Sequence, residues 1–195
     1  MSKLPISREE AIEFLKSMPQ QDSDMNHYLE TEAIMRALAR KFSEDEEYWG
    51  MLGLLHDVDW ALTKEDVGSH GIKAAEILRE KGFDDEFVEI IQSHVYANEL
   101  IPSLKERKRE TKIQHCLIAS ETFTGIIYAY ALMRGKDISG MEVKGLKKKF
   151  KDKRFAANCN RELVREIELA GLPLEEFFAL SIEAVKGIKE QIGLE

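Results

Sequence analysis

Helix-start signals are dense in this chain and alternation of the strand type is nearly absent, which restricts it to helical packing. Ser7-Arg8-Glu9-Glu10 and Ser43-Glu44-Asp45-Glu46 both match the capping box, in which a hydroxyl and a carboxylate three residues on each satisfy an orphan amide. A helix is expected to start at each. Beyond Asp24, apolar residues at Leu29, Ala33, Ile34, Ala37 and Leu38 keep the 3.6-residue period as far as Phe42, and Trp49, Leu52 and Leu55 keep it in the next segment. Further helices are expected over about 67–80, 85–96, 111–133, 161–169 and 174–192, with stops at Gly82, Gly135 and Gly171. The stretch 104–112 reads as a charged, exposed connection. The expected fold class is all-α: one helical bundle spanning 1–195, with a C-terminal helical extension from about 140.

Composition narrows the partners. With 195 residues and 44% hydrophobic content, the chain can bury one good core and is short for two. A formal charge of −8 argues against general nucleic-acid or membrane-surface binding and favours small substrates. Cys116 and Cys159 have no CxxC spacing and read as small buried hydrophobes in a reducing compartment. The N-terminus lacks an apolar signal core, and the nearly apolar run 123–133 is too short to cross a bilayer, so a cytoplasmic location is expected. Oligomeric state stays open.

Chemistry concentrates around His56 and Asp57, adjacent at the end of the apolar run Met51-Leu52-Gly53-Leu54-Leu55. His27, His70, His94 and Glu121 recur one or two helix lengths away, each with apolar neighbours at helical spacing. One histidine on an apolar face is more often a satisfied core residue than a ligand. Two carboxylates on such faces change that balance, because burying an unpaired carboxylate costs several kcal/mol and no Lys or Arg stands three or four positions from Asp57 or Glu121. A divalent metal would compensate both and use the imidazoles as well.

The order His27, His56-Asp57, His70, His94, Glu121 resembles that of the HD-domain superfamily of metal-dependent phosphohydrolases. Leu54-Leu55-His56-Asp57-Val58-Asp59-Trp60, Thr124-Gly125 and the segment from Val143-Lys144 to Asn160-Arg161 resemble small stand-alone HD proteins, so the likeness covers nearly the whole chain. The Gly-Tyr-Pro motif of the cyclic-dinucleotide branch is absent, and Ser120-Glu121 stands where Cys-Asp or Ala-Asp is usual. The resemblance implies that His27, His56, Asp57 and Glu121 hold one metal ion while His70 and His94 hold a second, with Asp57 bridging. Two ions roughly 3.5 to 4 Å apart would acidify a bridging water, and the hydroxide would attack phosphorus without a side-chain nucleophile. The mixed imidazole and carboxylate set suits iron, manganese, cobalt or nickel.

Asp59 either serves the reaction, by bonding a ligating imidazole or a metal-bound water, or caps a turn. Lys147, Lys148 and Lys151, within a basic run from Lys144 to Arg154, would draw a substrate phosphate, against the more economical reading of a solvated helical face. His115 fits no motif position and reads as a surface or packing residue, and Phe177 and Phe178 as core. The expected function is hydrolysis of a small phosphorylated compound such as a nucleotide or dinucleoside polyphosphate. A di-iron oxygenase or lyase and a non-catalytic nucleotide-binding module are the alternatives.

Overall fold

Ser7 Oγ accepts from the Glu10 amide while the Glu10 carboxylate accepts from the Ser7 amide at 2.7 Å, and α1 (Arg8–Lys16) begins there as expected. The computed structural model describes residues 4–195, and among them every regular element is helical. The elements that follow are α2 (Asp22–Phe42), α3 (Glu46–Leu55), α4 (Trp60–Thr63), α5 (Ile72–Glu80), α6 (Asp85–Gln92), α7 (Lys112–Met133), α8 (Val143–Lys151), α9 (Arg161–Arg165) and α10 (Leu174–Lys186), with short 3-10 turns between them.

The second expected capping box does not form. Ser43 closes α2 in the left-handed conformation at φ 58°, and Asp45 starts α3 by accepting from the Glu47 and Tyr48 amides. An N-cap needs an extended backbone, so a residue spent on reversing the chain cannot also cap the next helix. Gly82, Gly135 and Gly171 do stop helices, each at positive φ. Two expected elements break at a histidine. Val67–Ser69 is a 3-10 turn that ends at extended His70 before α5, and Ser93–Val95 is a 3-10 turn carrying His94 beyond α6. The 104–112 stretch is not uniformly exposed, because Leu104 closes a small apolar cluster with Val95, Tyr96 and Ile101.

Close packing of α2 on α3 sets the site. A Cβ at Gly53 would come within 2.8 Å of the Thr31 carbonyl, so glycine lets the two backbones approach and brings the end of α3 against the start of α2. The main core runs from Ala11 to Leu194 and includes residues on either side of position 140, with Phe123 of α7 stacked on Phe178 of α10 at 4.6 Å between ring centroids. Phe177 and Phe178 are fully buried, and each contributes about 1.5 to 3 kcal/mol of apolar transfer. Helix α7 is 22 residues long and apolar enough to cross a membrane by length and composition, yet over half of its apolar window is buried against protein.

Candidate metal centre

Four helix ends converge on one point. His27 comes from the first turns of α2, His56 and Asp57 from the end of α3, His70 from the turn before α5 and His94 from the turn after α6. Every one of the four imidazoles is anchored through Nδ1. His56 Nδ1 meets the Gly53 carbonyl at 2.8 Å, His94 Nδ1 the Ile91 carbonyl at 2.6 Å, and His70 Nδ1 the Asp59 carboxylate at 2.9 Å. His27 Nδ1 lies 2.8 Å from Thr124 Oγ1, whose own proton goes to the Glu121 carbonyl, so the histidine is the donor. Assigned from this network, the neutral rings carry their proton on Nδ1 and present the Nε2 lone pair inward.

Those lone pairs face each other. His27 Nε2 and His56 Nε2 are 3.0 Å apart, and His70 Nε2 and His94 Nε2 are 3.2 Å apart. With the Nδ1 protons committed elsewhere, two neutral rings in either pair have no hydrogen to share, and lone pairs at this distance call for a cation, either a metal ion or a proton. Two nitrogens bound at about 2.1 Å to one metal stand about 3.0 Å apart at a right angle and about 3.4 Å apart at a tetrahedral angle. Both pairs fit.

Asp57 completes each pair with a different oxygen. Its Oδ2 lies 3.8 Å from His27 Nε2 and 3.7 Å from His56 Nε2, while Oδ1 lies 3.3 Å from His70 Nε2 and 3.1 Å from His94 Nε2. His27, His56 and Asp57 therefore form one group that could hold a metal ion, and Asp57, His70 and His94 a second. Burial and charge set the protonation. Burial pulls His56 down to about 3 against the pull of Asp57, and lowers His27 for the same reason. Burial opposes ionisation of Asp57, but His56, His70 and His94 together hold it well below the usual carboxylate range. At His70 burial lowers the value while the Asp57 and Asp59 carboxylates outweigh it and lift it to about 10, so a proton competes with a metal for its Nε2.

The remaining sequence candidates fall in different places. Asp59 is fully buried, with Oδ1 on His70 and Oδ2 accepting from the Gly71 and Ala74 amides at 2.8 and 3.0 Å. Both its oxygens are committed to orienting His70 and capping α5, which leaves none for substrate. Glu121, expected as a ligand, lies outside both groups, because its Oε1 takes the Thr122 hydroxyl at 2.8 Å and Thr124, not the carboxylate, reaches His27. It keeps some solvent contact, yet burial raises its carboxyl to about 7, with Asp57 adding to the rise and His94 opposing it. Lys147 pairs with Glu175 at 2.5 Å, and Lys147 and Lys151 line a cleft of about 220 Å³ with Phe150, Glu168 and Phe178 that includes none of the six ligand candidates. Lys148 shares α8 with them. His115 is buried and bonded to Glu166 at 2.8 Å. Cys116 is buried with its thiol pushed up to about 12, and Cys159 is half-buried.

Sequence reasoning missed several groups that pack around the four histidines. Thr124 was visible only as part of a motif, and Gln92, whose amide donates to the Gly71 carbonyl at 3.1 Å and ties the His94 turn to the His70 turn, carried no signal. Trp60 sets its ring edgewise to His70 at 5.2 Å between centroids.

Residues 25–120 match the family model of the HD domain, and this segment is an HD domain. HD domains bind divalent metals and are generally metal-dependent hydrolases. A segment of Ribonuclease Y from Thermosipho melanesiensis is similar to this chain, 36% identical over 70 residues. Those residues make up 36% of this chain and 14% of that protein. No solved structure matches significantly.

Proposed function

We propose that this protein is a phosphohydrolase that acts on a small phosphorylated compound, such as a nucleotide, with two divalent metal ions as cofactor. The observation that carries the reading is Asp57: one oxygen faces the His27–His56 pair and the other faces the His70–His94 pair, the disposition a bridging carboxylate requires. His27 and His56 would hold one ion, His70 and His94 the other, and Asp57 both. Divalent ions in such a site supply Lewis acidity toward phosphoryl oxygens and make water a nucleophile near neutral pH. An imidazole-rich donor set favours iron, manganese, cobalt or nickel over magnesium, which prefers more oxygens.

The chain's own part is orientation. The Nδ1 bonds to Gly53, Ile91, Asp59 and Thr124 fix ring tautomer and direction, which is the supporting shell that metal sites of this type need. Asp59 acts as a positioning residue through His70. Glu121, whose carboxyl feels His94, Asp57 and His70, is assigned no ligand bond. With a net charge of −8, a small anion that two cations can neutralise is a better substrate than a polynucleotide. The likeness to a segment of a ribonuclease supports phosphoester hydrolysis as the reaction class, without its substrate.

The test is a panel of nucleotides and other phosphoesters assayed with manganese, cobalt, nickel and iron, aerobically and anaerobically. Metal-dependent phosphate release that is indifferent to oxygen is expected. Oxygen-dependent turnover, or none on any phosphoester with both ions bound, would contradict the proposal.

A further inference from the structure

The HD match ends at residue 120, yet the segment beyond it reaches back to the turn that carries His94. Arg109 is the link. Its side chain is 6% exposed, and the guanidinium forms a two-pronged pair with Glu166, Nε to Oε2 at 2.7 Å and Nη2 to Oε1 at 2.6 Å. The remaining nitrogen, Nη1, donates to the Ser93 carbonyl at 2.9 Å and the Tyr96 carbonyl at 3.1 Å. Those two carbonyls bracket His94. On the far side of Glu166, the His115 ring of α7 bonds Oε2 at 2.8 Å.

The turn needs such a clamp. Only three residues long, it closes on the Ser93 carbonyl through the Tyr96 amide at 3.2 Å but supplies no backbone donor to the Tyr96 carbonyl, and the chain leaves it through Ala97 in the left-handed region at φ 61°, a conformation a residue with a Cβ adopts at a cost. A planar fork with fixed donor directions can hold a carboxylate on one edge and two carbonyls on the other, which the single ammonium of a lysine cannot do.

We propose that Arg109, held in place by Glu166 and His115, is the positioning residue for His94, so that the 3-10 turn just after α9 is part of the apparatus that builds the second metal subsite. The inference rests on the two-ion reading of the site. Arg109 touches no ligand atom. It fixes the backbone from which His94 Nδ1 reaches the Ile91 carbonyl and Nε2 points at His70.

Histidine side-chain 15N NMR of the full chain during a zinc titration tests this, with Arg109→Lys keeping the charge and Glu166→Gln keeping the shape. In the wild type His94 should be in the Nδ1–H tautomer, and zinc should shift Nε2 of His27, His56, His70 and His94. In both variants His94 should become a mixture of tautomers and require at least tenfold more zinc, while His27 and His56 saturate as in the wild type. An unchanged His94 tautomer and zinc dependence in both variants would overturn the proposal. So would an equal loss at all four histidines, which would make Arg109 a general structural staple. If the wild-type histidines ignore zinc, the metal reading of the site fails, and the His94 tautomer populations still decide the clamp.

Discussion

Two clusters of ionisable side chains, around Glu166 and around Asp57, are built on opposite principles. Around Glu166 every group has its complement: Arg109 matches both carboxylate oxygens, His115 shares one of them, and the spare guanidinium nitrogen ends on two carbonyls. Around Asp57 the outer atoms are satisfied, while four Nε2 atoms and two carboxylate oxygens converge with no Lys or Arg among them and only a proton on His70 to share. A cluster that balances its own charge is a strut. One that gathers lone pairs toward a point is a receptor for a cation, and the surrounding carbonyls of Gly53 and Ile91 show how the fold keeps it so.

The contrast breaks most sharply at Asp57. Asp57→Asn removes the charge both groups share while preserving shape, and metal-dependent hydrolysis should fall by about two to three orders of magnitude. Steady-state kinetics with elemental analysis checks this, and an active variant with two bound ions would end the comparison. Asp59→Asn, which loosens only His70, should weaken binding of one ion by about 10 to 100-fold and leave the other unchanged, as read by metal titration. Equal weakening of both would mean that Asp59 supports the whole centre.

Why parts of this were legible in the sequence, and parts not, follows from distance along the chain. The helix at Arg8 is written in four consecutive residues, and the convergence of His27, His56, Asp57, His70 and His94 follows from apolar faces that must turn to one core. What tells a receptor from a strut is written in no local pattern. The acceptors that orient His56 and His94 are backbone carbonyls, which every residue has, and Glu166 meets Arg109 across 57 residues. Ser43 failed as a cap because chain reversal took its backbone, and Glu121 is in neither group, its Oε1 accepting from the Thr122 hydroxyl while Thr124 meets His27. His115, which reads from the sequence as a surface or packing residue, is the third member of the strut.

One buried acid outside both clusters forms no ion pair among the described residues. Glu30 is almost wholly buried, its Oε1 has no partner among the described residues, and burial raises its carboxyl well above the ordinary value. A folded-state value above the unfolded one means that the native state binds the extra proton, so this group's stability is fully present below the unfolded value of about 4.3 and is lost as pH rises toward the folded one. The loss runs at up to about 1.4 kcal/mol per pH unit. Glu30→Gln should therefore raise the melting temperature at pH 7 and flatten its dependence between pH 5 and pH 7; a destabilised variant at neutral pH would reveal a hidden cationic partner. The smallest effect belongs to α8. Replacing Lys148 and Lys151 by Gln should raise KM by no more than about twofold at low salt, as expected of solvated charges. A large, salt-sensitive rise would return the run to a steering role.

The most direct measurement is anomalous diffraction from crystals grown with cobalt, collected at the metal's absorption edge. Two peaks per chain are expected, one touching Nε2 of His27 and His56, the other Nε2 of His70 and His94, and both touching the Asp57 carboxylate. No peak at either place, with cobalt present in excess and the rings still facing one another, would contradict the claim that this cluster is built to receive metal.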